Sequence, residues 1–428
     1  MKKLLPFTVL PSLFFAPHVL SDSYFTGSTN DSFVEAGDML TIMLPATGLF
    51  ASWMYDDFEG TKQVVFSTAT TQLIIEGTKQ TVGRKRPNGS GWKSFPSGHA
   101  GGAFSGAAFL QSRYGAAWGI PAYSLATVAA VSRVHGNRHY VGDVVGGASI
   151  AFLVNQFFVS PYQAEGVKFS AEKTDDGYAV GVRVSNDAFD QERDKSNVTV
   201  FQKKLKHRFE LGIGANLSDS SGQVFADRYL ETTDVVDESQ PFAYINYQYT
   251  LENFNELEIE FLPFETRRTG VVKEAFVVDG YTFNPGDEVY TAYQHAMLGS
   301  NVYKGFKPIY GFDYKVGLGM YVHRVGLVAE DANKDDSTVE EDHWRAMVSG
   351  TAKGNYSITD DFSLLAKFQY HFWEDDTYML AEAGINYAIN HEWDVGFKYG
   401  YSESKFKDAN FSAEYDADTL VLTFANRF

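Results

Sequence analysis

Between residues 30 and 160 the apolar positions recur with helical period. Apolar, Ala/Gly-rich stretches run over Met39–Tyr55, Gln63–Ile75, Gly101–Leu110, Ala116–Val131 and Val144–Val159, separated by Gly, Pro or charged turns. These five stretches predict a helical bundle, and Gly101, Gly102, Gly106, Gly146 and Gly147 would let its helices approach closely. From about residue 166 the period changes to two. HRFELGIGANL at 207–217, FAYINYQYTL at 242–251, YMLAEAGINYA at 378–388 and LVLTFANRF at 420–428 alternate apolar and polar residues. Such alternation, bounded by polar turns, predicts half-buried strands.

The spacers between strands alternate in length. Short ones fall at Glu252–Glu256, Tyr303–Pro308, Ile358–Asp361 and Asn390–Glu392; long acidic ones at Ser218–Gln240, Arg267–Glu288 and Ala329–Asp342. Short turns at one end and long polar loops at the other are the pattern of a transmembrane barrel. The predicted fold is therefore a two-domain α + β chain: an N-terminal all-α bundle followed by a C-terminal antiparallel transmembrane β-barrel. About ten strands can be counted from His207, and a hairpin at Val167–Lys173 and Tyr178–Ser185 would make twelve. A soluble sandwich or lipocalin-like barrel is the alternative.

Residues 1–21 read as a secretory signal, with Lys2 and Lys3 ahead of the apolar run Leu4–Ala16 and a cleavage region at Val19-Leu20-Ser21. The expected divisions are thus 1–21 signal, 22–163 bundle, 164–206 linker containing the possible hairpin, and 207–428 barrel. Most of the helical stretches are shorter than the ~20 residues that cross a bilayer, which favours a soluble bundle in the periplasm. An even number of strands would put both barrel ends on that same side.

Composition narrows the chemistry. The chain has no cysteine, which excludes disulfides, thiolate metal sites and an acylated cysteine anchor. Its 35 Phe and 25 Tyr lie mostly in the strand half, as a membrane barrel requires. Net charge is −18, but residues 21–160 balance nine Lys+Arg against nine Asp+Glu, so the acidity belongs to the strand half. That acidity argues against nucleic acid as a partner. Six of the nine cations of 21–160 fall within three short blocks, where positive charge is therefore concentrated.

Those blocks are Lys79-x6-Arg86-Pro87, Pro96-Ser97-Gly98-His99 and Ser132-Arg133-x5-His139-x3-Asp143. Lys79, Arg86 and Arg133 supply fixed cations for phosphoryl oxygens, arginine giving bidentate contacts. Ser97 and Gly98 precede a predicted helix, whose N-terminal N–H groups favour an anion. His139 is the candidate nucleophile, since an imidazole nitrogen attacks phosphorus without losing a proton first. Asp143, four residues on, can hold the ring by its other nitrogen. His99 is the candidate general acid, later the base that activates water. Arg84, Lys85 and Arg86 taken alone read as a solvated basic run, and His135 reads as a polar neighbour. His295, His323, His343, His371 and His391 are scattered along strands without metal-ligand spacing, and the acidic runs Asp331–Asp336 and Glu340–Asp342 read as loop.

In order and spacing the three blocks resemble the signature of the type 2 phosphatidic acid phosphatase superfamily, which includes bacterial acid phosphatases, lipid phosphate phosphatases and vanadium haloperoxidases. The resemblance covers roughly residues 38–160. It implies the same roles for His139, Asp143 and His99, and phosphate binding by the cations matched above, with no metal and no cofactor. The closing Phe428 likewise resembles the terminal aromatic of outer-membrane barrels. The expected function is hydrolysis of phosphomonoesters, above all lipid phosphates, by a periplasmic domain tethered to the outer membrane. Soluble esters, vanadate-dependent halide oxidation, and a channel or adhesin role for the barrel are the alternatives.

Overall fold

The computed structural model describes residues 31–162, 167–174, 177–184, 205–217, 229–235, 241–251, 253–334, 338–407 and 412–428. The predicted signal at 1–21, and Ser185 at the end of the predicted hairpin, lie outside these residues.

Five helices form the N-terminal part: α1 (Ser32–Met54), α2 (Phe58–Val82), α3 (Gly98–Tyr114), α4 (Ala116–His135) and α5 (Val141–Phe158). Local chemistry sets their starts. The Asp31 carboxylate accepts from Phe33 N and Val34 N, both at 3.0 Å, and the Asp57 carboxylate accepts from Gly60 N at 2.8 Å. α2 stops where Gly83 takes a left-handed conformation, φ 61°. α1 and α2 span 23 and 25 residues, longer than their apolar stretches. Thr, Lys, Glu and Gln extend α2 at both ends without adding to its apolar period. By length and composition α1 and α5 are each sufficient to cross a membrane; they correspond to Met39–Tyr55 and Val144–Val159, the two stretches that come nearest that length in the sequence.

α3 is the centre of the bundle, with Ala103, Phe104, Ala107, Phe109 and Leu110 buried. Close backbone approach depends on two glycines. A Cβ at Gly106 would stand 2.3 Å from the Leu44 carbonyl carbon in α1, and one at Gly147 would stand 2.3 Å from Ser97 O.

The strands are β1 (Val167–Thr174), β2 (Gly177–Val184), β3 (His207–Asn216), β4 (Leu230–Val235), β5 (Pro241–Thr250), β6 (Glu256–Val272), β7 (Phe276–Val278), β8 (Tyr281–Phe283), β9 (Glu288–Gly305), β10 (Phe312–Asp331), β11 (Val339–Ser357), β12 (Phe362–Trp373), β13 (Asp376–Ala388), β14 (Trp393–Lys407) and β15 (Ser412–Arg427). β3, β5, β6 and β9 to β15 close into an antiparallel barrel of 10 strands, sealed by β3–β15 and β6–β9 pairing. β1 and β2 pair only with each other, so the hairpin adds nothing to the barrel and the count is not twelve. β4 pairs with the far end of β6, continuing the place that β5 holds lower down.

The strands also outlast their predicted ends. β6 runs on to Val272 inside the spacer predicted at Arg267–Glu288, and β10 and β11 take up half of that at Ala329–Asp342. Charge made these segments read as loops. In the fold the charges pair between neighbours: Arg324 of β10 reaches Glu340 at 2.6 Å and Asp342 at 2.7 Å on β11.

The barrel is apolar outside and charged within. Leu318 and Met320 stay 76% and 67% exposed on the outer face. Inside, Lys367 contacts Glu258 at 3.0 Å and Glu260 at 2.6 Å, and Lys398 contacts Glu210 at 2.6 Å, beside a cavity of about 390 Å³. His295, His323 and His371 are not scattered. The register of β9, β10 and β12 brings them into one hydrogen-bonded row, 2.9 Å at each step.

The bundle lies along the outer wall of the barrel. Phe152 of α5 packs on Phe209 with ring centroids 4.6 Å apart, and Phe157 meets Trp393 at 6.3 Å. At the other end of α5, a Cβ on Gly142 would stand 3.8 Å from Pro263 O. The apolar faces of α5 and of the wall bury one another, which hides from water what a suspended bundle would expose.

Candidate active site

The site is built where α4 ends, α5 begins and the loop before α3 turns. Asp143, in the first turn of α5, is fully buried. Its carboxylate accepts from Arg84 Nη1 at 2.9 Å, Ser94 Oγ at 2.5 Å and Tyr140 N at 2.9 Å. Burial alone would raise its pKa, but Arg84, His139 and Ser94 outweigh that and hold it at about 2. Arg84 also stacks over the Tyr140 ring at 3.9 Å, with Arg267 from the barrel wall at 3.9 Å.

His139 sits on the loop between α4 and α5 and is 2% exposed. Its Nδ1 lies 3.5 Å from Asp143 Oδ2, an ion-pair distance longer than a well-formed hydrogen bond. Nε2 is therefore the nitrogen left to react. Burial lowers the pKa of the ring, against the opposing effect of Asp143, so the neutral form prevails near neutrality. A neutral imidazole with its far nitrogen beside a carboxylate is the form a nucleophile needs.

His99 stands in the first turn of α3, two residues after the Ser97 cap. Ser97 N donates to Asp143 O at 2.8 Å, tying this loop to α5. His99 Nε2 lies 3.3 Å from Asp38 Oδ1, and the same Asp38 carboxylate pairs with Arg133 and, at 3.8 Å, with Arg138. Desolvation and then the charge of Arg133 push the His99 pKa down to about 4, with Asp38 acting the other way. A dianion between these groups would favour the protonated ring instead.

The remaining matched residues surround the same space. Gly98 leaves room for Lys79, whose Nζ would be 3.1 Å from a Cβ at that position. Arg133 is buried, and its charge acts on Arg86, Arg138, His99 and His139. Three guanidinium groups of one sign crowded together form a cradle that an anion relieves. The structure thus brings together all eight residues singled out in the sequence. His135 stands apart, 2.9 Å from Asp31 at the start of α1.

Three residues of the site were missed. Arg84 counts in the sequence only toward the positive charge of the blocks and has no role of its own there, yet it is 4% exposed and is the partner of Asp143. Ser94 and Asp38 belong to no recognised spacing. The buried side of the array meets the barrel: a cavity of about 70 Å³ separates His139, Tyr140 and Arg84 from Phe261, Pro263 and Arg267.

Comparison with known proteins agrees with this geometry. The chain is 34% identical over 140 residues to the lipid A 4′-phosphatase of Helicobacter pylori (strain J99), covering 30% of this chain and 70% of that protein. It is 34% identical over 86 residues to the lipid A 1-phosphatase of Porphyromonas gingivalis (strain ATCC 33277), covering 19% of each. Among solved structures, the outer membrane protease OmpT from Escherichia coli aligns with 52% of this chain and 94% of its own, at 11% identity and a TM-score of 0.32. The barrel assignment here rests on its own strand pairing. Residues 60–165, which hold all eight residues singled out in the sequence and Arg84, match the PAP2 superfamily, and with the Helicobacter relative they show that the chain belongs to it.

Proposed function

We propose that this protein hydrolyses phosphomonoesters of lipids through a phosphohistidine, held in the outer membrane by its barrel. The observation that carries the chemistry is the buried His139–Asp143–Arg84 array opening onto Lys79, Arg86 and Arg133 with His99 beside them. His139 Nε2 attacks phosphorus and the P–O ester bond breaks, the departing oxygen taking the proton of His99. Neutral His99 then removes a proton from water, whose oxygen attacks the phosphohistidine. Inorganic phosphate leaves and His139 returns to its neutral form. The arginines and Lys79 stabilise charge on the equatorial oxygens throughout.

Two observations support a lipid substrate. The relatives named above act on lipid A, and a membrane-held enzyme meets membrane phosphates at high effective concentration. The barrel's apolar exterior and charged lumen support the outer-membrane location. Phosphate release by the purified protein from lipid and soluble phosphomonoesters in matched detergent tests the substrate class. Lipid esters should be preferred, and equal turnover of soluble esters would leave a non-specific phosphatase. Acid-labile, base-stable ³²P labelling of wild type tests the intermediate, and its absence would exclude the covalent route. His139→Ala should lose turnover by on the order of 10³-fold or more.

A further inference from the structure

The bundle is not only fastened to the barrel; it lies parallel to the wall and shares its surface character. α5 begins level with Pro263, midway along β6, and ends beside Trp393 and Phe209, at the barrel end that carries Phe428. The active site is at the start of α5, so it faces away from the Phe428 end. The Phe428 end also carries the short turns, such as those at 251–255 and 389–392, which in membrane barrels face the periplasm.

The bundle face turned away from the barrel is apolar. Ile42 of α1 is 74% exposed and Leu73 of α2 is 73% exposed, as uncovered as Leu318 on the barrel belt. An exposed apolar surface of that extent, continuous with a lipid-facing barrel wall, calls for the same solvent. Beyond this face, on the loop that enters the site, Trp92 is 58% exposed with Lys85 Nζ 5.9 Å from its ring, and Lys93 follows. Tryptophan and lysine at the end of an apolar face mark the head-group level of a bilayer.

From these observations we infer that the bundle is embedded beside the barrel, and that its active site takes phosphate head groups from the leaflet at the cell exterior. This rests on the barrel reading proposed above and adds a side of the membrane to it.

The absence of native cysteine makes the test direct. Three variants, Ser90→Cys on the site loop, Leu73→Cys on the apolar face and Asp360→Cys in a turn at the Phe428 end, are treated with a membrane-impermeant maleimide. The substrate is intact cells, then cells with a permeabilised outer membrane, then detergent. Ser90→Cys should label fully on intact cells, Asp360→Cys only after permeabilisation, and Leu73→Cys only in detergent. Labelling of Ser90→Cys only after permeabilisation, or of Asp360→Cys on intact cells, would overturn the orientation. Reaction of Leu73→Cys before detergent would overturn the embedding. Recovery of the protein in the soluble fraction would instead remove the barrel reading itself, and phosphate release by the three purified variants reports the chemistry separately.

Discussion

Asp143 has no contact with water, and its charge survives because three donors point at it, Arg84 and Ser94 from the loop between α2 and α3 and Tyr140 N from the start of α5. Replacing Arg84 by Met removes the only cation among them and leaves a buried carboxylate short of its partner. Arg84→Met is expected to destabilise the bundle by about 3 kcal/mol, read as earlier loss of the helical CD signal on heating, and to lower kcat along with it. The two histidines set the pH profile. In the proposed mechanism His139 acts neutral, and its lowered pKa keeps the acid limb below the ordinary histidine value; His99 acts protonated, and in the free protein its pKa is only about 4. A bound phosphate raises the latter, so the basic limb of kcat should lie at higher pH than that of kcat/KM. Asp38 favours the protonated ring, and Asp38→Asn should move the basic limb of kcat toward lower pH; an unmoved limb would make Asp38 a partner of Arg133 alone. At this scale His139, Asp143 and His99 were legible because their chemistry depends on short-range spacing. Arg84 was not, because it stands in a run of three cations and only tertiary packing decides which of them turns inward. Asp38 was not, because its meeting with His99 is made by two helices crossing 61 residues apart in the chain.

Among the elements, α5 has the most demanding position. It touches the phosphate loop on one side and the barrel on the other, and Gly147 permits the first of these contacts. Gly147→Ala puts a methyl group against Ser97 O, a backbone atom that cannot swing aside. Overpacking of this kind costs about 1–3 kcal/mol. It should also displace the cap before His99, so a fall in kcat larger than the fall in melting temperature suggests is the expected result. The five helices were visible as apolar blocks, and the strands as alternation. Their ends were not, since polar residues continue α2 and paired charges continue β6, β10 and β11. The histidine row was hidden for a related reason: register across β9, β10 and β12 is a property of pairing, which no single strand records.

For the molecule as a whole, two domains of different class were legible from the change of period, while their mutual placement was not. Docking is decided by which apolar faces remain once each domain has formed. Leu318→Arg, on the exposed outer wall, should destabilise the inserted barrel by about 2–4 kcal/mol, shown by loss of heat-modifiable migration at lower temperature. Ile75, Phe95 and Phe152 of the bundle share one buried cluster with Phe209, Leu211 and Phe428 of the barrel. Phe95 immediately precedes Pro96-Ser97-Gly98, so the phosphate loop leans on a core that is finished only when the barrel closes. The enzyme should therefore be born inactive: during export its anion cradle lacks a backing, and the phosphates of the membrane it leaves behind are spared. Excised residues 31–162 are expected to melt earlier and turn over more slowly than the intact chain, which makes barrel assembly the event that switches the catalyst on.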